Sequence, residues 1–115
     1  MVVDFSFYIK EKPITIKVKP LTTLTQQFLG LMFRKKSPSL LFIQKRPVRF
    51  SIHSYFCKPF IGIWLLDDKI IKIKIVKPNT FSVKPQGKFN KLLEIPNNTE
   101  EFKKISKIID DKENL

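Results

Sequence analysis

The stretches "VDFSFYIK" (3–10), "ITIKVK" (14–19) and "IIKIKIVK" (70–77) alternate apolar and polar side chains almost one for one. A helix would scatter such a pattern around its whole cylinder. A strand, whose side chains point to opposite faces in turn, gathers the apolar ones on a single face. This alternation makes the chain mostly β.

The first two stretches predict a hairpin. "KEKP" (10–13) serves as a four-residue loop, which would pair Ile9 with Ile14, Phe7 with Ile16 and Phe5 with Val18. Asp4 would then face Lys19, a favourable cross-strand pair. Beyond Pro20, Thr23 and Gln26 have capping-box spacing, and Leu24, Phe28 and Leu31 form a short stripe, so a helix is expected over about 24–32. "SLLFI" (39–43), "PVRFSIHSYF" (47–56), "FIGIWLL" (60–66) and "KLLEI" (91–95) read as strands, with "DDK" (67–69) as a turn. In 70–77, Ile71, Ile73 and Ile75 are expected inward, with Lys72, Lys74 and Val76 outward. Asn98 and Glu101 again suggest a capping box, and Phe102, Ile105, Ile108 and Ile109 share one side of a C-terminal helix over about 99–110.

At 115 residues with 43% hydrophobic content and eleven Phe, the chain is expected to form one domain over 1–115 with a real core. The longest apolar run, "FIGIWLL", falls far short of the ~20 residues a membrane helix needs, so no membrane association is expected. "MVVDFSF" lacks a basic region and a cleavage site, and the single Cys cannot form an internal disulfide. A cytoplasmic location is the expectation.

Twenty-two basic residues against ten acidic ones give +12. Residues 100–115 are net −1, which leaves +13 on the first 99. A field of that sign attracts polyanions. Two readings stand side by side. The Ile-, Lys- and Phe-rich, Ala-free composition is that of an AT-rich genome, and the charge is then compositional. Alternatively, Arg34, Lys35, Lys36, Lys45 and Arg46 around "SPSLLFI", with Lys72 and Lys74, are contacts for a ligand or polyanion such as single-stranded nucleic acid.

Catalytic signatures are missing. Gly30, Gly62 and Gly87 are too scattered for a phosphate loop, and there is no CxxC or His cluster. His53 and Cys57 would sit about 13 Å apart on a strand at ~3.3 Å per residue, too far for a nucleophile–base pair. No catalytic residue, metal site or cofactor is therefore expected, and the reading leans away from an enzyme.

"GLMFRKK" (30–36), "LLFI" (40–43), "RFSIHSYFCKPFIGIWLLDD" (49–68), "KPNTFSVKP" (77–85) and "LLEIP" (92–96) together resemble the domain of unknown function 192 family (uncharacterised protein family 0127), with "SIH" resembling its archaeal form. The resemblance covers about residues 14–96. It implies a compact antiparallel β-sandwich or flattened barrel with a short helix near the start, and it implies no activity. The chain departs from the pattern at Phe60-Ile61-Gly62, where the family has Pro-hydrophobic-Asp, so the family's candidate carboxylate is missing. The closing Gly-Asp strand is replaced by the C-terminal helix. Arg34, in the Gly-Leu-Met-x-Arg position, is read as a structural ion pair or cap, or as a ligand contact. The expected function is a non-catalytic binding or interaction module. Nucleic-acid binding through a basic sheet face is the alternative, and a small hydrolase or transferase comes last.

Overall fold

The structure is a computed structural model that describes residues 2–22, 38–49, 59–77 and 87–113. They form six strands, β1 (Val3–Ile9), β2 (Lys12–Leu21), β3 (Ser39–Val48), β4 (Phe60–Leu66), β5 (Lys69–Val76) and β6 (Phe89–Pro96), followed by helix α1 (Glu100–Glu113). The strands make one sheet in the order β1-β2-β3-β6-β4-β5. It curls into a half-barrel, so that residues of the two edge strands, β1 and β5, pack into one apolar cluster.

This corrects the expected architecture in two ways. There is one curled sheet among the described residues, not a two-sheet sandwich. It is also mixed, because β2 and β3 pair in parallel, with Val18 beside Ser39 and Leu21 beside Phe42. Antiparallel neighbours can be joined by a tight turn, but a parallel pair needs a connection of about a dozen residues or more. Residues 22–38 supply it. The helix expected over 24–32, the Phe50–Phe56 part of the 47–56 strand, His53 and Cys57 all lie outside the described residues.

Alternation assigns the faces. On the concave side, Phe7, Ile9, Ile14, Ile16, Val18, Leu41, Ile61, Ile63, Leu65, Leu93 and Ile95 form a core that Ile105 and Ile109 of α1 close. Phe102 and Ile108 pack against it, so the whole predicted helical stripe is used. On the convex side, Leu21, Leu40, Phe42, Phe60, Trp64, Val76, Phe89 and Leu92 form a second buried cluster. Strand β4 therefore contributes to both cores, which is why "FIGIWLL" is apolar without alternating.

The first hairpin has the predicted faces and a different register. Its loop is the two residues Lys10 and Glu11, so Ile9 pairs with Lys12, Phe7 with Ile14 and Phe5 with Ile16. Asp4 faces Lys17 rather than Lys19, with an exposed ion pair at 3.8 Å. A two-residue displacement keeps every side chain on its side, so alternation cannot detect it. The tight loop needs positive φ at both positions, and Lys10 (50°) and Glu11 (67°) adopt it without the Asn or Gly that tolerates it best. Replacing Lys10→Asn together with Glu11→Gly should therefore stabilise the chain by roughly 1–2 kcal/mol. A rise in the urea midpoint at unchanged slope checks this, and an unchanged midpoint contradicts it. Asp67 and Asp68 repeat the same loop geometry between β4 and β5.

Two further details differ from expectation. The register shifts between Trp64 and Leu65, which face Lys72 and Ile70 respectively, so Ile71 is left over as a bulge and is 39% exposed. Ile70 takes the concave position expected for Ile71, while Val76 lies on the outward face with Lys72 and Lys74, as expected, and is buried there in the convex cluster. The cap of α1 is Thr99, not Asn98. Thr99 Oγ1 accepts from the Phe102 N–H at 3.2 Å and donates to the Pro96 carbonyl at 2.8 Å.

Candidate functional site

The convex cluster contains one group that does not belong in an apolar layer. Glu94, in the middle of β6, is 7% exposed and is the only buried acid among the described residues. Its neighbours are set by the register. Leu40 of β3 faces it on one side and Gly62 of β4 on the other. The same row continues outward to Lys19 of β2 and Lys74 of β5. The adjacent row runs Leu21, Phe42, Leu92, Trp64, Lys72. A carboxyl thus sits on an apolar floor, with lysines at both ends of its row.

Burial pushes the Glu94 carboxyl up to about 8 from an ordinary 4.5, because the surrounding hydrocarbon penalises the charged form. Near pH 7 it is mostly protonated, and it can then both donate and accept a hydrogen bond. Strongly displaced titration of this kind concentrates at functional sites, although structural burial produces it too.

Gly62 gives the site its shape. A Cβ at residue 62 would lie 2.9 Å from Cη2 and Cζ3 of Trp64, because the indole folds back along β4 over the glycine. Trp64 is fully buried, and its Nε1–H has no hydrogen-bond partner among the described residues. The Lys72 ammonium stands 5.7 Å from the centre of the same indole. On the row next to Glu94 the face therefore holds an indole N–H with no partner among the described residues, and unmet groups of this type are rare in folded interiors.

The basic residues singled out in the sequence are only partly brought together. Lys72 and Lys74 do share the convex face with Glu94 and Trp64. Lys45 and Arg46 are exposed at the irregular end of β3. They are three strands from β5, about 14 Å at ~4.8 Å per strand. Arg34, Lys35 and Lys36 lie outside the described residues. No group of three or more potential metal ligands occurs among the described residues, and none of their helices is long and apolar enough to cross a membrane. Sequence reasoning did not single out Glu94. The available signal was an acid inside "KLLEIP", a run otherwise apolar after its first residue.

Neither a family model nor a curated protein matches this chain. Two solved structures resemble it in fold. One is a protein of unknown function from Novosphingobium aromaticivorans, 19% identical, with a TM-score of 0.72 over 83% of this chain and 73% of that one. The other is a "putative transcription regulator" from Sinorhizobium meliloti, 15% identical, with a TM-score of 0.68 over 79% of this chain and 76% of that one. These likenesses concern the fold, and no activity comes with them.

Proposed function

We propose that this protein is a non-catalytic binding module whose ligand hydrogen-bonds at the Glu94–Trp64 face. The observation that carries the reading is that Glu94 faces a glycine. Acid–base and metal chemistry on a sheet is commonly built from two facing acids, where one can hold the proton or share the ion. Here the facing position is Gly62. We also propose membership of the domain of unknown function 192 family, whose pattern has Asp at that position. On this reading the chain keeps one carboxyl of a facing pair. A lone, mostly neutral carboxyl that keeps 7% exposure in an apolar surround suits recognition of a polar group within an apolar ligand.

The nucleic-acid reading draws support from Lys72 and Lys74 on this face, and from the description of the Sinorhizobium neighbour as a regulator. It is the weaker one. Base stacking needs an exposed ring, and Trp64 is wholly buried.

A thermal-shift screen of small metabolites, followed by calorimetry, tests the proposal. Ligands that stabilise the native chain and fail to stabilise Glu94→Gln support it. Turnover of a hit contradicts it, as does stabilisation indifferent to Glu94→Gln. Tight binding of single-stranded RNA near physiological salt, with a steep salt dependence, would replace it with the alternative.

A further inference from the structure

The half-barrel leaves a seam on the side away from Glu94, where β1 and β5 approach without pairing to each other. A cleft of about 160 Å³ opens there. Ile9 of β1, Ile70 and Ile73 of β5, and Ile108 and Ile109 of α1 make its floor, with Tyr8 and Lys10 at the rim. Among the described residues, the large apolar side chains that remain exposed are Val2, Val3, Tyr8 and Ile71. All of them lie on β1, immediately before it, or on β5. Of these, Tyr8 lines the cleft and Ile71 follows its lining residue Ile70.

We propose that this seam docks an acidic, extended segment of a partner protein, which seats one apolar side chain in the cleft and runs its backbone along a free strand edge. Size decides what kind of group can enter. A dry space of about 150 Å³ holds a benzene-sized group, whereas cofactors and drug-sized ligands need roughly 300 Å³ or more. The cleft accommodates one side chain of a longer chain. The edges supply the rest: neither β1 nor β5 has a second strand partner among the described residues, so each offers a row of main-chain donors and acceptors.

Charge decides which chain it is. Lys10 stands in the wall of the cleft. Lys12 opens β2, Lys69 opens β5, and Lys104 and Lys107 flank Ile108 on α1, all of them exposed. Glu11 stands against them, and Asp110 and Asp111 follow Ile109 in the α1 sequence, while Asp67 and Asp68 are engaged by Asn90 and Lys91. Lysines and a bulge on an edge strand also deter self-pairing. A second copy would bring Lys69 and Lys74 against their own kind, so the same charges that repel a copy of this chain attract Asp- and Glu-rich sequence.

A random peptide-display library selected on the full chain supplies the test. Enriched peptides should carry one large apolar residue flanked by acids. Fluorescence anisotropy should show at least about tenfold weaker binding, ~1.4 kcal/mol, when that apolar residue becomes Ser or the flanking acids become Lys. Lys10→Glu and Ile71→Asp, both at exposed positions, should weaken binding equally while leaving the stability read from urea denaturation within about 0.5 kcal/mol of the parent. An enrichment of neutral or basic peptides overturns the proposal, as do peptides indifferent to both variants and a library that yields none. A concentration-dependent dimer that blocks peptide capture overturns it in favour of a second copy. Glu94→Gln should leave peptide binding unchanged, which separates this surface from the convex face.

Discussion

Between pH 4.5 and about 8 the folded chain should lose stability as pH rises, and Glu94→Gln should abolish the part of that loss due to this carboxyl. Below 4.5 Glu94 is protonated in both folded and unfolded chains, and its contribution to stability is fully present. As pH rises the unfolded chain gives up the proton first, while burial keeps it on the folded one. Unfolding then releases a proton, so each pH unit lowers stability by about 1.4 kcal/mol. Above 8 both states are ionised and the loss is complete. The total between 4.5 and about 8 is roughly 5 kcal/mol, a large share of what a small domain possesses. Other acids tilt the profile as well, so the readout is the difference between parent and Glu94→Gln. Urea denaturation should give similar stabilities for the two at about pH 5 and a markedly more stable variant at about pH 8.5. Parallel profiles across the whole range would show that the carboxyl is not desolvated in the folded state.

The second large effect is expected at Gly62. Gly62→Ala puts a methyl group 2.9 Å from two carbons of the Trp64 ring, closer than such contacts occur. The indole is fully buried in one cluster with Phe60, Val76, Phe89 and Leu92. Tilting it would disturb the convex core and the row that holds Glu94, at a cost of roughly 1–3 kcal/mol. The chain has one Trp, so its emission reports on this ring alone. The expected result is a lower urea midpoint with a shifted emission maximum. Combining Gly62→Ala with Trp64→Phe should recover part of the overpacking cost, because the smaller ring leaves room for the methyl group. A Gly62→Ala variant as stable as the parent would mean that the glycine is not there to admit the indole.

Packing around Gly62 also bears on the family resemblance. An Asp at position 62, as in the family pattern, would meet the same indole that excludes alanine. The Trp64 ring and a side chain at position 62 therefore exclude one another, which leaves Glu94 as the polar group of its row between Leu40 and Gly62. This coupling between β4 and β6 is invisible along the chain, since 32 positions separate the two residues while the sheet sets them side by side.

The sequence by itself determined the local periodicities and the elements they dictate. "FIGIWLL" is a strand over its full length, a turn follows within "DDK", and 3–10 and 14–19 form a hairpin with Phe5, Phe7, Ile14 and Ile16 turned to the core. The stripe of Phe102, Ile105, Ile108 and Ile109 lies on the sheet as its spacing requires. Each of these depends on neighbours within a few residues, where side-chain direction is set by the backbone repeat. Tertiary structure alone decided the rest. It chose the two-residue loop over a four-residue one, because both registers turn the same faces inward. It placed β6 between β3 and β4, made β2 and β3 parallel, and bulged β5 at Ile71. It also turned Glu94, an ordinary acid in the sequence, into a buried and mostly neutral one. A carboxyl's protonation is governed by what surrounds it in space, and here Leu40, Gly62 and the convex cluster come from strands far apart in the chain.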